Sequence, residues 1–187
     1  EAEQAKKHED LVVDRHRHWD SCGLPSTLIE HLDDRVTGFR TMRLPLDGAG
    51  ESHTMDTKVA CRKLLGDLKD KAIGGLHFWT QPNSWHHFMS DHILTFSVIP
   101  LDEGRTLLRT KWLVHKDAVE GVDYDLDNLI SVWTATNKQD SDLVEICQQG
   151  ATNPAYASGP YSPFTEGLVE AFINWYVIRM KAELGKA

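Results

Sequence analysis

The sequence predicts an α+β fold in which an antiparallel sheet packs against a long C-terminal helix. Residues alternate between apolar and polar through Ile73–Gln81 and again through Arg105–His115, which is typical of strands with one packed and one solvated face. Apolar residues recur at three- and four-residue spacing after Asp125 and after Ser162, which predicts two amphipathic helices. The 187 residues are enough for a sizeable core, and we treat residues 1–187 as a single domain.

The first segment, Glu1–Cys22, has the pattern of a helix with one apolar side. That side carries Leu11, Val12, Arg15 and Trp19. His16 and His18 lie two residues apart, which on a helix turns their rings about 200° from each other. We therefore expect these two histidines, like His8, to be solvated rather than to bind metal.

The pattern between this helix and the sheet is less regular. Gly23 to Pro25 breaks the helix, and a second short helix is expected over Ser26–Leu32. Alternation then predicts an extended segment over Val36–Leu46. Glu51–Lys71 has the composition of a surface loop, with one helical turn expected at its LLGDL run.

A hairpin completes the predicted sheet. His92–Leu101 and Arg105–His115 flank the turn signal Asp102-Glu103-Gly104. In the second strand, one face carries Leu108, Thr110, Trp112 and Val114, and the other carries Arg109 and Lys111. The histidine-rich run SWHHFMSDH precedes the hairpin, and we expect it to connect two strands.

The helix that follows Asp125 carries a carboxylate in an unusual position. Its apolar stripe includes Leu126, Leu129, Ile130, Trp133, Leu143, Val144 and Cys147. Extended through the middle turn, the stripe passes through Asp140, which predicts that this side chain is buried. A buried carboxylate requires a cation, a metal or several hydrogen-bond donors as partner. Periodicity alone favours a structural acid that caps a loop or pairs with an arginine.

The C-terminal region is predicted to be a loop followed by a helix. Prolines and glycines in the run from Gly150 to Pro163 forbid regular structure. Ser162 is expected to cap the last helix, with Pro163 in its first position. The core stripe of that helix carries Leu168, Val169, Phe172, Trp175, Tyr176 and Arg179.

Composition excludes several classes of function. Hydrophobic residues make up 41% and charged residues 26% of the chain, which is typical of a soluble globular protein. The formal net charge of −8 argues against binding to nucleic acid or to an anionic membrane. The three cysteines have no disulfide or metal spacing, and no apolar run reaches membrane-spanning length. We therefore expect a cytoplasmic protein.

Four stretches between Gly75 and Met180 form a specific combination of motifs. They are DHILTFSVIPL with RTLLRTKWLVHKDAVEGVDYDL, a QD-x-x-L-V-E helix, an N-x-x-Y-x-x-GPYSP loop and an E-x-x-V-x-x-F-x-x-WY helix. This combination resembles the oxygenase alpha subunit of Rieske non-haem iron oxygenases. Within that family, the chain resembles a branch that demethylates glycine betaine and related quaternary ammonium compounds. The resemblance implies a helix-grip architecture, with the sheet held by the C-terminal helix.

The resemblance also implies a cofactor set that this sequence contains only in part. Two histidines and one carboxylate hold a catalytic Fe(II) in the family, and Asp140 matches the carboxylate. The family's Glu-x-x-x-x-His-x-x-x-x-His helix has no match upstream of Asp140, and no Cys-x-His…Cys-x-x-His pair is present for a [2Fe-2S] cluster. We therefore expect the chain to be the latter part of a longer oxygenase, incapable of turnover by itself.

The resemblance implies that the substrate lies beside the sheet and the Asp140 helix. Aromatic faces would recognise a quaternary ammonium group, which cannot accept or donate hydrogen bonds, and Trp79, Trp85 and Trp133 are the candidates. His87 and His92 are expected to line the cavity or to bind loop carbonyl groups. Their ligation of one metal is the less favoured interpretation, because on a helix their spacing sets the rings about 140° apart.

The implied partners are a small-molecule substrate, dioxygen and a flavin reductase that supplies electrons, with the full-length subunit forming a homotrimer. Two alternative functions stay open. One is an aromatic ring-hydroxylating dioxygenase, and the other is a non-catalytic helix-grip domain that binds a lipid or another metabolite. Each tryptophan could also be an ordinary core residue.

Overall fold

The computed structural model describes residues 2–24, 29–31, 39–46 and 50–185, and it confirms the α+β class. The helices are α1 (Ala2–Ser21), α2 (Leu126–Ala151) and α3 (Gly167–Leu184). The strands are β1 (Ile29–His31), β2 (Phe39–Leu44), β3 (Gly75–Thr80), β4 (Ser84–Phe88), β5 (His92–Asp102) and β6 (Arg105–Val114).

The sheet is an antiparallel meander in which each strand pairs with the next along the chain. Its longest pairing joins β5 to β6 across the Asp102–Gly104 turn, where the Asp102 carboxylate accepts from the Gly104 N–H at 3.0 Å. Along β5, His92, Leu94 and Phe96 are buried, while the alternating residues between them are half-buried. We call the face that carries these three residues the inner face.

Helix α2 lies against the inner face. The Trp133 ring centroid is 5.3 Å from that of Phe96, and the Asn137 side-chain amide donates to the Thr110 hydroxyl at 3.0 Å. The helix begins where the Asp125 carboxylate accepts from the Asn128 N–H at 2.9 Å, which satisfies one of the N–H groups left free in a first turn. Leu129 is buried one turn before Trp133.

Helix α1 is anchored by its last turn. Trp19 is fully buried, and the Arg43 guanidinium lies 5.7 Å from its ring centroid. Gly74 has a positive φ of +65°, and a Cβ there would come within 2.8 Å of the Trp19 ring and 2.2 Å of the Leu44 carbonyl oxygen. The predicted apolar side of this helix is confirmed, because Leu11, Val12 and Arg15 are half-buried beside Trp19.

Several local predictions are wrong. Ile29–His31 is a strand rather than part of a helix, and residues 25–28 and 32–38 lie outside the described residues. The histidine-rich run is itself strand β4 rather than a connection. The LLGDL run forms bends and turns without a helix. Helix α3 begins at Gly167, because Ser162 and Glu166 exchange hydrogen bonds across a turn that precedes it.

The far end of α2 and most of α3 are exposed. Every residue from 138 to 161 is exposed, including Leu143 at 60% and Val144 at 64%. In α3, Trp175 is buried, whereas Val169, Ile173 and Tyr176 are exposed. Periodicity identified the apolar sides of both helices, but in this chain those sides are covered over only part of their length.

Candidate active site on the inner face of the sheet

Three histidines meet Trp133 and Phe96 where α2 crosses the inner face. His77 on β3 and His87 on β4 are directly opposite each other, and their Nδ1 atoms are in hydrogen-bond contact. His87 stacks on Trp133 with the ring centroids 4.7 Å apart and the planes at 25°. The ring centroid of His53, in the loop before β3, lies 5.6 Å from that of Trp133 and 6.0 Å from that of His77. We call His53, His77 and His87 the histidine cluster.

The imidazoles of the cluster are held in their neutral form. Burial lowers the pKa of His87 to about 3, and the neighbouring rings of His77 and His53 add to the effect. Burial likewise lowers the pKa of His53 to about 4, although the Asp91 carboxylate partly opposes the shift. The pKa of His77 is also lowered by burial and by the Arg43 guanidinium. The cluster therefore carries no positive charge at neutral pH.

A buried carboxylate beside the cluster holds the loop and the sheet together. Asp91 is fully buried and accepts hydrogen bonds from the Ser52 hydroxyl at 2.7 Å, from His92 Nδ1 at 3.0 Å and from the Ala60 N–H at 2.6 Å. Burial by itself would raise the pKa of Asp91, but these hydrogen bonds prevail and lower it. Asp91 is therefore ionised, and it fixes the segment that carries His53.

The structure brings the predicted substrate-binding residues to one face. Trp79 and Trp85 pair across β3 and β4, two residues along the strands from His77 and His87, so all four share the inner face. His92 lies on this face as well, fully buried, with Nε2 lacking a hydrogen-bond partner in the described chain. The Trp85 ring stacks on Phe96 at 4.9 Å, whereas Trp79 is 46% exposed.

The burial prediction for Asp140 is wrong, because its side chain is exposed. Asp140 follows Asn137, the last residue of α2 whose contact with the sheet is described, so the helix has left the inner face at this turn. Neighbouring acids have structural partners: Asp142 pairs with Lys138, and Glu145 accepts from the Ser141 hydroxyl at 3.4 Å. Asp140 makes no hydrogen bond or ion pair within the described residues.

Sequence reasoning missed two members of the histidine cluster. The three residues between Thr80 and Ser84 set the register of the β3–β4 hairpin, and that register places His77 opposite His87. Treating the histidine-rich run as a strand would have revealed this pair. His53 has no such signal, because its position depends on how Asp91 folds an irregular loop against the sheet.

Comparison with known proteins identifies the family. The model of the ring hydroxylating alpha subunit (catalytic domain) matches residues 8–182. The glycine betaine monooxygenase oxygenase subunit of Pseudomonas aeruginosa strain UCBPP-PA14 is 47% identical over 147 residues, which cover 79% of this chain and 34% of that protein. The protein of the same name from Chromohalobacter salexigens is 41% identical over 177 residues, which cover 95% of this chain and 39% of that protein.

The chain therefore belongs to the ring-hydroxylating alpha-subunit family of Rieske oxygenases, as part of the catalytic domain. The predicted resemblance is confirmed. The matched segment spans little more than a third of the length of these relatives. None of the described helices combines the length and apolar character needed to cross a membrane.

The family implies a mononuclear non-haem iron, for which Asp140 is the ligand predicted from the sequence. Asp140 offers an exposed carboxylate without a structural partner among the described residues. Within the described ranges, the one group of three His, Cys, Asp or Glu donors close enough to share an ion lies elsewhere, at the end of α1. These residues thus fit the iron through one carboxylate and do not complete a two-histidine, one-carboxylate site.

Proposed function

We propose that this chain is the latter part of the catalytic domain of a Rieske-type oxygenase that removes a methyl group from a small quaternary ammonium compound. The observation that carries the proposal is the identity of 41–47% to proteins named glycine betaine monooxygenase oxygenase subunit, over 79–95% of this chain. The Rieske domain and the two histidine ligands would lie in other parts of the full-length subunit.

Asp140 is the proposed third ligand of the iron. An acid with a structural task is paired, as Asp142 is with Lys138, whereas the Asp140 carboxylate is free to bind a metal. Asp140 together with two neutral imidazoles would hold Fe(II), and the iron would supply the activation of dioxygen that no side chain can provide. The charge of Asp140 offsets part of the charge of the metal.

The inner face is the proposed substrate side of the site. A trimethylammonium group is attracted to aromatic ring faces by about 0.5–2 kcal/mol per ring, and Trp79, Trp85 and Trp133 all lie on or against this face. The neutral imidazoles of His53 and His87 add polar surface without repelling a cation. His92, fully buried and held by Asp91, supports this wall.

Hydroxylation of an N-methyl group accounts for demethylation. One oxygen atom of O2 enters a C–H bond to give a carbinolamine, and two electrons and two protons reduce the other atom to water. The carbinolamine then breaks its C–N bond, which releases formaldehyde and a proton and leaves the amine with one methyl group fewer. In this proposal the electrons would come from the Rieske cluster, which a flavin reductase would reduce again. The complete enzyme is proposed to be a cytoplasmic homotrimer.

The proposal is tested with the full-length subunit and a reductase. Glycine betaine should be consumed with equimolar release of formaldehyde. Its carbon isostere 3,3-dimethylbutanoate has an uncharged tert-butyl group in place of the trimethylammonium group, and it should bind more weakly because it lacks the cation–π attraction. Equal binding of the two compounds would show that the site reads shape alone and would contradict the betaine assignment.

The Trp133→Leu variant gives a second readout of the same proposal. It keeps apolar bulk and removes one ring face, so KM for glycine betaine should rise roughly 2- to 30-fold, the equivalent of about 0.5–2 kcal/mol. The thermal unfolding midpoint of the variant must be measured alongside, because Trp133 also stacks on His87.

Two other results with the unaltered subunit would favour the alternative functions. Conversion of an aromatic acid to a cis-dihydrodiol, with no turnover of betaine, would favour the aromatic dioxygenase. Binding without turnover of either would favour a ligand-binding domain.

A further inference from the structure

A group of three side chains that could hold a metal ion lies at the end of α1, and it includes His18, which was expected to be solvated but is half-buried. His18 is in the last turn of the helix, Cys22 follows it by four residues, and Asp70 lies in the loop before β3. The imidazole Nε2 of His18 contacts the Asp70 carboxylate, and the Cys22 sulfur lies 3.9 Å from the same nitrogen. One donor atom from each residue lies within 4.8 Å of the other two.

The backbone fixes this arrangement on both sides. The Cys22 N–H donates to the His18 carbonyl at 3.1 Å, which continues the helical turn and keeps the two side chains on one side of α1. Between them, Trp19 is fully buried and seats the end of the helix against Gly74. The loop side is fixed because the Asp70 Oδ1 atom accepts from the Ala72 N–H at 2.8 Å, which leaves Oδ2 directed at His18.

We propose that His18, Cys22 and Asp70 bind a borderline divalent cation, with Zn(II) as the ion that suits them best. Imidazole nitrogen, thiolate sulfur and carboxylate oxygen are the three donor types that Zn(II) accepts in proteins, at about 2.0–2.3 Å from the metal. Tetrahedral bonds of that length place the donors roughly 3.3–3.8 Å apart. The observed separations need only a small rearrangement to reach this range.

The surroundings of the cluster suit a bound ion. His18 and Asp70 are partly exposed and Cys22 is exposed, so an ion can enter from solvent and keep a water molecule in its fourth position. The site is separate from Asp140 and the inner face, and its expected role is to fasten α1 to the loop before β3.

Metal titration of the purified 187-residue chain tests this proposal. One equivalent of Zn(II) should bind, and Co(II) in its place should give the near-ultraviolet sulfur-to-cobalt charge-transfer band that marks a thiolate ligand. Cys22→Ser should abolish this band and weaken Zn(II) binding at least tenfold. Cys147→Ser, which alters another exposed cysteine, is the matched control and should leave both the band and the affinity unchanged.

A measurement on the unaltered chain guards against a variant that misfolds. Zn(II) should slow alkylation of Cys22 while Cys147 reacts at its metal-free rate, as peptide mass mapping can resolve. Equal rates at Cys22 with and without Zn(II) would overturn the site and leave a His18–Asp70 ion pair beside an ordinary thiol. Zn(II) binding of unchanged affinity in the Cys22→Ser chain would do the same. Neither result bears on the oxygenase assignment, because Asp140 takes no part.

Discussion

At the scale of single residues, burial determines the protonation states of the titratable groups on the inner face. Three imidazoles gather there because their neutral form tolerates a partly apolar setting, and burial lowers the pKa of each. Asp91 keeps its charge in full burial because four hydrogen-bond donors point at it. The three imidazoles beside Trp133 therefore stay uncharged at neutral pH, next to a carboxylate that is ionised.

The histidine cluster predicts acid sensitivity of the fold. The folded pKa values of His87 (about 3) and His53 (about 4) lie below the unfolded value of 6.5. The unfolded chain therefore binds more protons below about pH 6.5, and the free energy of unfolding should fall from there towards pH 4. Asp91, whose folded pKa is also lowered, should lose its contribution only at lower pH.

Urea unfolding midpoints measured between pH 7 and pH 4 check this prediction. His87→Gln should flatten the decline because it removes the imidazole whose pKa is lowered to about 3. His8→Gln, on the exposed side of α1, is the control and should follow the unaltered chain. A decline that His87→Gln leaves unchanged would mean that groups outside the cluster cause it.

At the scale of elements, α2 is a helix with two different environments. Its first half packs on the sheet through Leu129, Trp133 and Asn137, and its second half projects beyond it, with Leu143 and Val144 exposed. The apolar side chains of α2 therefore contribute to the stability of this chain in the first half of the helix and contribute little in the second half.

Alanine substitutions along α2 should separate the two halves. Leu129→Ala removes a buried side chain and should lower the free energy of unfolding by about 2–5 kcal/mol. Leu143→Ala makes the same chemical change at a site that is 60% exposed and should cost less than about 0.5 kcal/mol. Denaturant unfolding of both variants measures these two changes in the free energy of unfolding. A cost at Leu143 similar to that at Leu129 would show that the second half is packed in solution.

The elements that could be predicted from sequence are those with local signals. The β5–β6 hairpin follows from alternation and a turn within one short segment, and the Trp19 side of α1 follows from periodicity. Periodicity failed at Asp140 because it identifies a side of a helix but not whether another element covers that side. The position of His53 depends on contacts with Asp91 far along the chain, for which single-sequence patterns carry no information.

At the scale of the whole molecule, the chain corresponds to about a third of the length of its relatives. It provides the inner face and the exposed carboxylate of Asp140, but its described residues do not bring two imidazoles and a carboxylate together around one ion. Its relatives are more than twice as long, and family membership implies a catalytic iron and a Rieske cluster in the complete subunit.

The isolated chain is therefore expected to bind Fe(II) weakly and to show no oxygenase turnover with any reductase. Anaerobic equilibrium dialysis against Fe(II) measures the first quantity. The Cys22→Ser chain should be used, so that the site proposed at the end of α1 does not contribute. Stoichiometric, tight iron in that chain would contradict the prediction and would point to His87 and His92 as ligands.

The central claim, that Asp140 holds the catalytic iron, is tested most directly by the mononuclear iron content of the full-length subunit carrying Asp140→Ala. The variant should lose this iron and more than about 100-fold in activity, since even partners that only orient metal ligands are worth about 10–100-fold. The visible absorbance of its Rieske cluster should persist. Asp142→Ala, the matched control two residues away in the same exposed stretch, should keep both iron and activity. An Asp140→Ala subunit that retains its mononuclear iron would contradict the claim and leave Asp140 as a surface acid.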